Sequence, residues 1–202
     1  MTKIKMGRIP YVYPVPIVLV GATVDGKANF AEVGDCAVAG VRPALVMVSL
    51  GEGHHTTRGI LEHRTFSINV PNTKLLSSTD RCGIVSGRDV DKSRLFTVEY
   101  GGTGTAPLIA ECPICLECRV LQQVQIEHRC VFVAEVVECF ADEAFVTERD
   151  GTRRIAGLVE LDPILYALDN RYYRVGSPIG TGYAEGRDPS IADCPGSCSM
   201  LD

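Results

Sequence analysis

The dipeptide Asp25-Gly26 separates two runs of β-branched and small residues, 17–24 and 28–33. Asp-Gly accepts the positive φ of a type I′ turn, whose twist matches the strands on either side, so the chain must double back here as a hairpin. Further strands follow from composition. Residues 44–50 form a nearly continuous apolar run and read as a strand buried on both faces. Residues 65–70 read as another, stopped by Pro71, and 95–100, 114–124 and 130–140 complete the set, the last two as a hairpin around 125–129. Helical pattern is confined to short stretches. One is 56–64, capped by Thr56 or Thr57, with Ile60 and Leu61 facing inward. A second is 75–83, and a third is opened by Asp162-Pro163. Many strands and few short helices imply a closed barrel or a sandwich. The absence of a strand–helix alternation argues against a doubly wound sheet.

The 202 residues suit one domain, 1–186, with an irregular tail, 187–202, since the chain is rich in Gly, Pro and Ser from Gly176 onward. With 46% hydrophobic residues there is material for a sizeable core. The net charge of −5 comes without a block of Lys or Arg, which argues against nucleic acid as a partner. No stretch approaches the ~20 apolar residues of a membrane span. Lys3, Lys5 and Arg8 precede an apolar run and imitate a signal peptide, but Pro10, Pro14 and Pro16 interrupt it. The expected setting is therefore cytoplasmic. The nine cysteines, Cys36, Cys82, Cys112, Cys115, Cys118, Cys130, Cys139, Cys194 and Cys198, are then reduced thiols rather than a disulfide framework.

Several motifs carry chemistry only in the right context. Gly101-Gly102-Thr103-Gly104-Thr105 lacks the third Gly and the following helix of a dinucleotide site, and Gly180–Gly186 misses the spacing. Cys112-Pro113-Ile114-Cys115-Leu116-Glu117-Cys118 has the look of a zinc or iron–sulfur site. Its alternation is that of a strand, however, and would set Cys115 apart from Cys112 and Cys118, so no metal is expected. Cys194-Pro195-Gly196-Ser197-Cys198 would serve a redox role only by pairing within the tail or with a partner thiol. His54-His55-Thr56-Thr57 opens a helix, where backbone N–H groups and hydroxyls suit either an ordinary cap or a phosphate. Ser86-Gly87-Arg88-Asp89-Val90-Asp91-Lys92 is a polar loop able to meet an anion. His128 lies near the turn of the long hairpin, where a lone histidine is more often structural or solvated than catalytic.

Taken in order, these segments resemble the flavin reductase-like family with the FMN-binding split barrel, and its flavoredoxin branch in particular. The matching pieces are Pro14-x-Pro16 leading into 18–22, the 25–30 hairpin, Arg42-Pro43 before Val48-Ser49-Leu50, and Phe66-x-Ile68-Asn69-Val70-Pro71. The loop from Ser86 to Lys92, Leu116-Glu117-Cys118, Phe132-Val133-Ala134-Glu135 and Tyr172-Tyr173-Arg174-Val175-Gly176 follow. The resemblance implies a mainly β fold, a split β-barrel of Greek-key type with a few short helices. It also implies a homodimer with FMN near the interface. Asn29, Phe30, Ala31 and Glu32 would line the isoalloxazine. Ser49 and Leu50 would meet ring or ribityl. His55, Thr56 and Thr57 would hold the phosphate, completed by Ser86, Gly87 and Lys92. The branch often carries an aromatic residue near the ring where this chain has Gly34-Asp35-Cys36, which brings Asp35 and Cys36 in as neighbours. Tyr172 and His128 are further candidates near the ring.

The function implied is oxidoreduction: electrons pass from NAD(P)H, as a transient donor, or from a redox-protein partner through FMN to an acceptor. The alternatives are a flavin-binding module without turnover and a thiol or metal protein built on Cys112, Cys115 and Cys118.

Overall fold

The computed structural model describes residues 1–187; Cys194, Cys198 and the rest of the tail lie outside the described residues. The strands are β1 (Val15–Pro16), β2 (Val18–Val24), β3 (Lys27–Val33), β4 (Cys36–Gly40), β5 (Leu45–Gly51), β6 (Thr65–Val70), β7 (Val98–Tyr100), β8 (Pro107–Ile109), β9 (Ile114–Ile126), β10 (Arg129–Ala141), β11 (Val146–Arg149), β12 (Thr152–Ile155), β13 (Ile164–Ala167) and β14 (Arg171–Arg174). The helices are α1 (His55–His63), α2 (Leu76–Ile84) and the single turn α3 (Leu158–Leu161). Seven strands form one antiparallel sheet in the order β3-β2-β6-β9-β10-β5-β4. The sheet curls until β3 meets β5, giving a mainly β split barrel. Among the described residues no helix is long and apolar enough to cross a membrane.

The first hairpin forms as its sequence dictates. Asp25 and Gly26 have φ of 50° and 74°, the positive pair that a type I′ turn requires. Every residue of β2 is buried because its two faces meet two different cores. Val18, Val20 and Ala22 face the barrel interior with Val46, Val48, Leu50, Ile60, Phe66, Phe132 and Ala134. Leu19 faces outward into a second core with Phe30, Cys82, Leu108, Ile109, Cys112 and Cys115. This second core lies under α2 and the β7–β8 pair.

Some local expectations change. β5 is not buried on both faces: Val46, Val48 and Leu50 are buried, while Leu45, Met47 and Ser49 between them are half-buried. Thr56 and Thr57 lie inside α1, whose cap position is the extended His54, without a side-chain cap. Ile60 is buried, but Leu61 is 41% exposed. Residues 95–100 form a strand only from Val98, because Asp91 accepts from the Ser93 N–H and starts a short 3₁₀ turn over Lys92–Leu95. Asp162-Pro163 does not open a helix. Asp162 closes α3 in the left-handed conformation, and Pro163 then leads into β13. The cysteines also sort differently: Cys112 packs with Cys115 in the outer core, and Cys118 faces the barrel. Burial pushes the Cys115 thiol up to about 12 and raises those of Cys112 and Cys118 as well.

The glycine-rich loop at 101–105 wraps a buried carboxylate. Glu117 on β9 is 1% exposed. It accepts hydrogen bonds from the backbone N–H of Gly102 (3.0 Å) and Thr103 (3.1 Å) and from the Thr103 hydroxyl (2.7 Å). A Cβ on Gly101 would overlap this carboxylate, so glycine is what lets the loop close over it.

Candidate functional site

Three elements converge at one end of the barrel: β3, the start of α1, and the segment from the end of α2 through the loop at 86–92. Two adjoining cavities lie between them, of about 460 and 340 Å³, sharing Asn29, His55, Gly87, Arg88 and Lys92 on their walls. A larger cavity, about 670 Å³, lies between Tyr11, Tyr13 and the β13–β14 hairpin, but no buried charged side chain lines it.

The β3–α1 seam is fixed by side chains. Asn29 donates from Nδ2 to the Thr56 hydroxyl at 2.7 Å, and both residues are buried. Thr57, fully buried, donates its hydroxyl to the Gly51 carbonyl at 2.8 Å, tying the end of β5 to the same turn. The loop presses onto this seam at Gly87, where a Cβ would overlap the Asn29 side-chain oxygen and crowd the His55 ring. Ser86 shapes the loop itself: its hydroxyl accepts from the Arg88 N–H, and its carbonyl from those of Asp89 and Val90.

The electrostatics point one way. The first turn of α1 contains no acidic residue and no side-chain cap, so its free N–H groups and the positive end of the helix dipole face the cavity wall at His54, His55 and Thr56. His55 Nδ1 is buried with no hydrogen-bond partner. Burial, followed by Arg88 and Arg58, lowers the His55 pKa, and burial with Arg129, Lys92 and Arg88 lowers that of His54. Lys92 is 4% exposed, and its Nζ donates to the Cys82 carbonyl at 2.6 Å. Among the described residues that carbonyl is its one hydrogen-bond partner, and it forms no ion pair. Burial holds its pKa below the usual lysine value. A buried ammonium whose one hydrogen-bond partner is neutral has lost its hydration without forming an ion pair, and the Glu32 carboxyl acts on it only at a distance. A phosphate monoester answers each of these: it carries close to two negative charges and accepts from N–H groups, imidazole and ammonium together. The donor set therefore fits the phosphate end of a flavin mononucleotide.

The other sequence-derived residues distribute as follows. Asn29, Ala31, Glu32, His55, Thr56, Ser86, Gly87 and Lys92 line the two cavities. Tyr172 stands behind Glu32, with its hydroxyl 2.8 Å from Oε1. Phe30 points away into the outer core, Leu50 into the barrel, and Cys36 packs against the barrel core. Ser49 and Asp35 are gathered by Arg129, which donates to the Ser49 hydroxyl (3.0 Å) and carbonyl (2.8 Å) and pairs with Asp35. His128 is solvent-exposed at the β9–β10 turn and pairs with Glu52 at 3.0 Å, off the cavity walls. The site residues assigned from sequence did not include Arg88, which lines both cavities, or Lys27 and Arg58, and His54 was read only as part of the helix-opening motif. The signal for Arg88 was present, as the other cation of the loop that supplied Lys92.

Residues 6–175 match the sequence profile of the flavin reductase like domain family. Among solved structures, the chain is similar to the flavoredoxin of Methanosarcina acetivorans, at 36% identity and a TM-score of 0.86, covering 93% of this chain and 98% of that one. It is also similar to the flavoredoxin of Desulfovibrio vulgaris (Miyazaki F), at 28% identity and a TM-score of 0.82, covering 92% and 100% respectively. An FMN-binding protein from Thermus thermophilus shares the fold at 24% identity and a TM-score of 0.72, over 88% of this chain and 99% of that one.

Proposed function

The chain belongs to the flavin reductase like domain family, and on that premise we propose that it is an oxidoreductase that holds FMN in the cavities beside α1. It takes electrons from NAD(P)H or a small redox protein and passes them to an acceptor such as free flavin, ferric iron or a partner protein. The observation that carries the reading is Lys92: a buried cation that forms no ion pair among the described residues, next to an uncapped helix start and an unpartnered imidazole nitrogen. When bound, the flavin supplies the electron chemistry. The chain's part is to bind and orient. Lys92, the first-turn N–H groups of α1 and His55 Nδ1 would hold the phosphate. Gly87 keeps the loop against Asn29, and Asn29, Ala31 and Glu32 would form the wall beside the ring. Arg88 lines both cavities. Exposed apolar side chains along the long hairpin, Leu121, Val124 and Ile126 on β9 and Val137 and Phe140 on β10, support pairing as a homodimer.

The test is the visible spectrum of the purified protein, before and after addition of FMN, and then with NADH or NADPH without oxygen. A flavin spectrum that bleaches promptly supports a nicotinamide-driven reductase. A flavin spectrum that resists both donors assigns the electrons to a protein donor. A colourless protein that takes up no FMN overturns the reading.

A further inference from the structure

One half-buried acidic cluster, which reaches the cavity wall through Glu32, has no part in holding a phosphate. Tyr172 of β14 places its hydroxyl 2.8 Å from Glu32 Oε1 on β3 and 2.7 Å from Asp80 Oδ1 on α2. A phenol owns one hydrogen and can donate it to one carboxylate only. The second contact closes only if that carboxyl brings a hydrogen of its own and donates it to the phenol oxygen. Three acidic groups therefore share two protons.

Glu32 is the carboxyl suited to hold the second one. Its burial, and behind that the charge of Asp80, raise its affinity for a proton, while the Tyr172 hydrogen bond and Lys92 pull it down; the net direction is up. Tyr172 keeps its own proton, since burial and two acceptors drive its pKa well above the usual phenol value. The other titratable groups acting on Glu32 are Lys92 and the Cys82 thiol, which burial pushes up to about 11, and His54, His55 and Arg88 line the same cavity. Burial holds both imidazoles below the usual histidine value. Glu32 lines the cavity, whereas Tyr172 and Asp80 stand behind it, and Asp80 is partly exposed.

We propose that Glu32 is the protonated carboxyl of this cluster, that its hydroxyl turns from Tyr172 to the cavity to give up its proton, and that Tyr172 and Asp80 form the relay that reloads it from solvent. The identity of the acceptor rests on the flavin reading above. When two electrons arrive from a one-electron redox protein, a flavin needs one proton from its surroundings to reach the anionic reduced form. The Glu32 O–H bond breaks and a flavin N–H bond forms, leaving a carboxylate. Asp80 then takes a proton from solvent, and as the Tyr172 hydrogen passes to the Glu32 carboxylate, Tyr172 takes the new one from Asp80. The sum is two electrons and one proton gained by the flavin, with the relay restored.

Two measurements test this, one of them free of flavin. In the apo protein, infrared titration is expected to show a protonated-carboxyl band persisting above pH 4.5, the ordinary glutamate value. The band is lost in Glu32→Gln, shifted in Tyr172→Phe and moved to lower pH in Asp80→Asn. Absence of such a band, or its loss in Asp80→Asn rather than Glu32→Gln, overturns the assignment of the proton to Glu32. In the FMN-loaded protein, proton uptake on rapid reduction by a one-electron reductant is expected to slow about 100-fold in Glu32→Gln. Tyr172→Phe is expected to keep the first turnover and slow the reloading. Uptake in Glu32→Gln at the wild-type rate overturns the donor role. Wild-type protein that binds no FMN would overturn the flavin reading while leaving the apo infrared result standing by itself.

Discussion

Two places in this fold offer backbone N–H groups to an anion, and they are solved in opposite ways. At the loop 101–105 the anion belongs to the chain: Glu117 fills the cradle, and each of its contacts comes from the loop. At the start of α1 the cations and donors are assembled, but the described residues give Lys92 no ion pair. The first arrangement is complete without a ligand and contributes to stability. The second leaves a buried ammonium under-compensated and lowers the stability of the empty protein, to the benefit of an incoming anion. The lesson is that glycine-rich sequence marks close approach to an anion, whereas the location of a ligand is marked by an unanswered charge.

The largest expected effect is on the filled cradle. Glu117→Ala strands two N–H groups and a hydroxyl and should cost about 3 kcal/mol in chemical denaturation, with FMN affinity of the folded protein unchanged. A loss of FMN affinity instead would break the comparison by showing that the two regions are coupled. Lys92→Met should do the reverse. FMN binding weakens about 10- to 100-fold by fluorescence titration, while the empty protein becomes more stable by about 1 kcal/mol. Unchanged FMN affinity would remove Lys92 from the phosphate site.

A pair of glycines sharpens the contrast. Gly101→Ala crowds Glu117 and should lower stability by about 1–3 kcal/mol, leaving FMN binding intact. Gly87→Ala crowds Asn29 and His55, and should show mainly as FMN affinity reduced about tenfold, equivalent to ~1.4 kcal/mol. The smallest effect is a pH dependence. The Lys92 pKa is lowered by burial, so between its folded value and 10.5 the unfolded chain binds more protons than the folded one. Stability from this group is thus lost as pH falls through the folded pKa and restored as pH rises toward 10.5. The difference between wild type and Lys92→Met, followed by denaturation across this range, should show that slope. Saturation with FMN should flatten it, since phosphate holds the ammonium charged.

Local signals were the ones legible in the sequence. The Asp25-Gly26 turn, β6 at residues 65–70 and the long hairpin depend on neighbours within a few residues, and they form where the pattern puts them. β4, β8 and the β13–β14 hairpin were not legible, because β4 is largely exposed and the others are short. They become strands through pairing with distant segments, as Cys36 does with Val48 and Leu165 with Pro16. Asp162-Pro163 misled because proline follows helix ends as readily as it opens helices. For the site, residue types were readable in Asn29, Thr56, Gly87 and Lys92. What could not be read was depth. Lys92 sits in a polar run and looks solvated, and only the packing of the 3₁₀ turn against β3 buries it.

The long β9–β10 hairpin has a consequence in time. Every residue on the walls of the two cavities lies between positions 24 and 92. Yet β6, beside β2, and β5, which leads into α1, belong to one sheet only through β9 and β10, which end at Ala141. During synthesis the chain thus carries all the side chains that would touch the flavin well before it has a pocket. A ribosome halted before Ile114 would hold a complete parts list and no binding site, so cofactor capture is postponed until the late hairpin has been threaded between the two early halves.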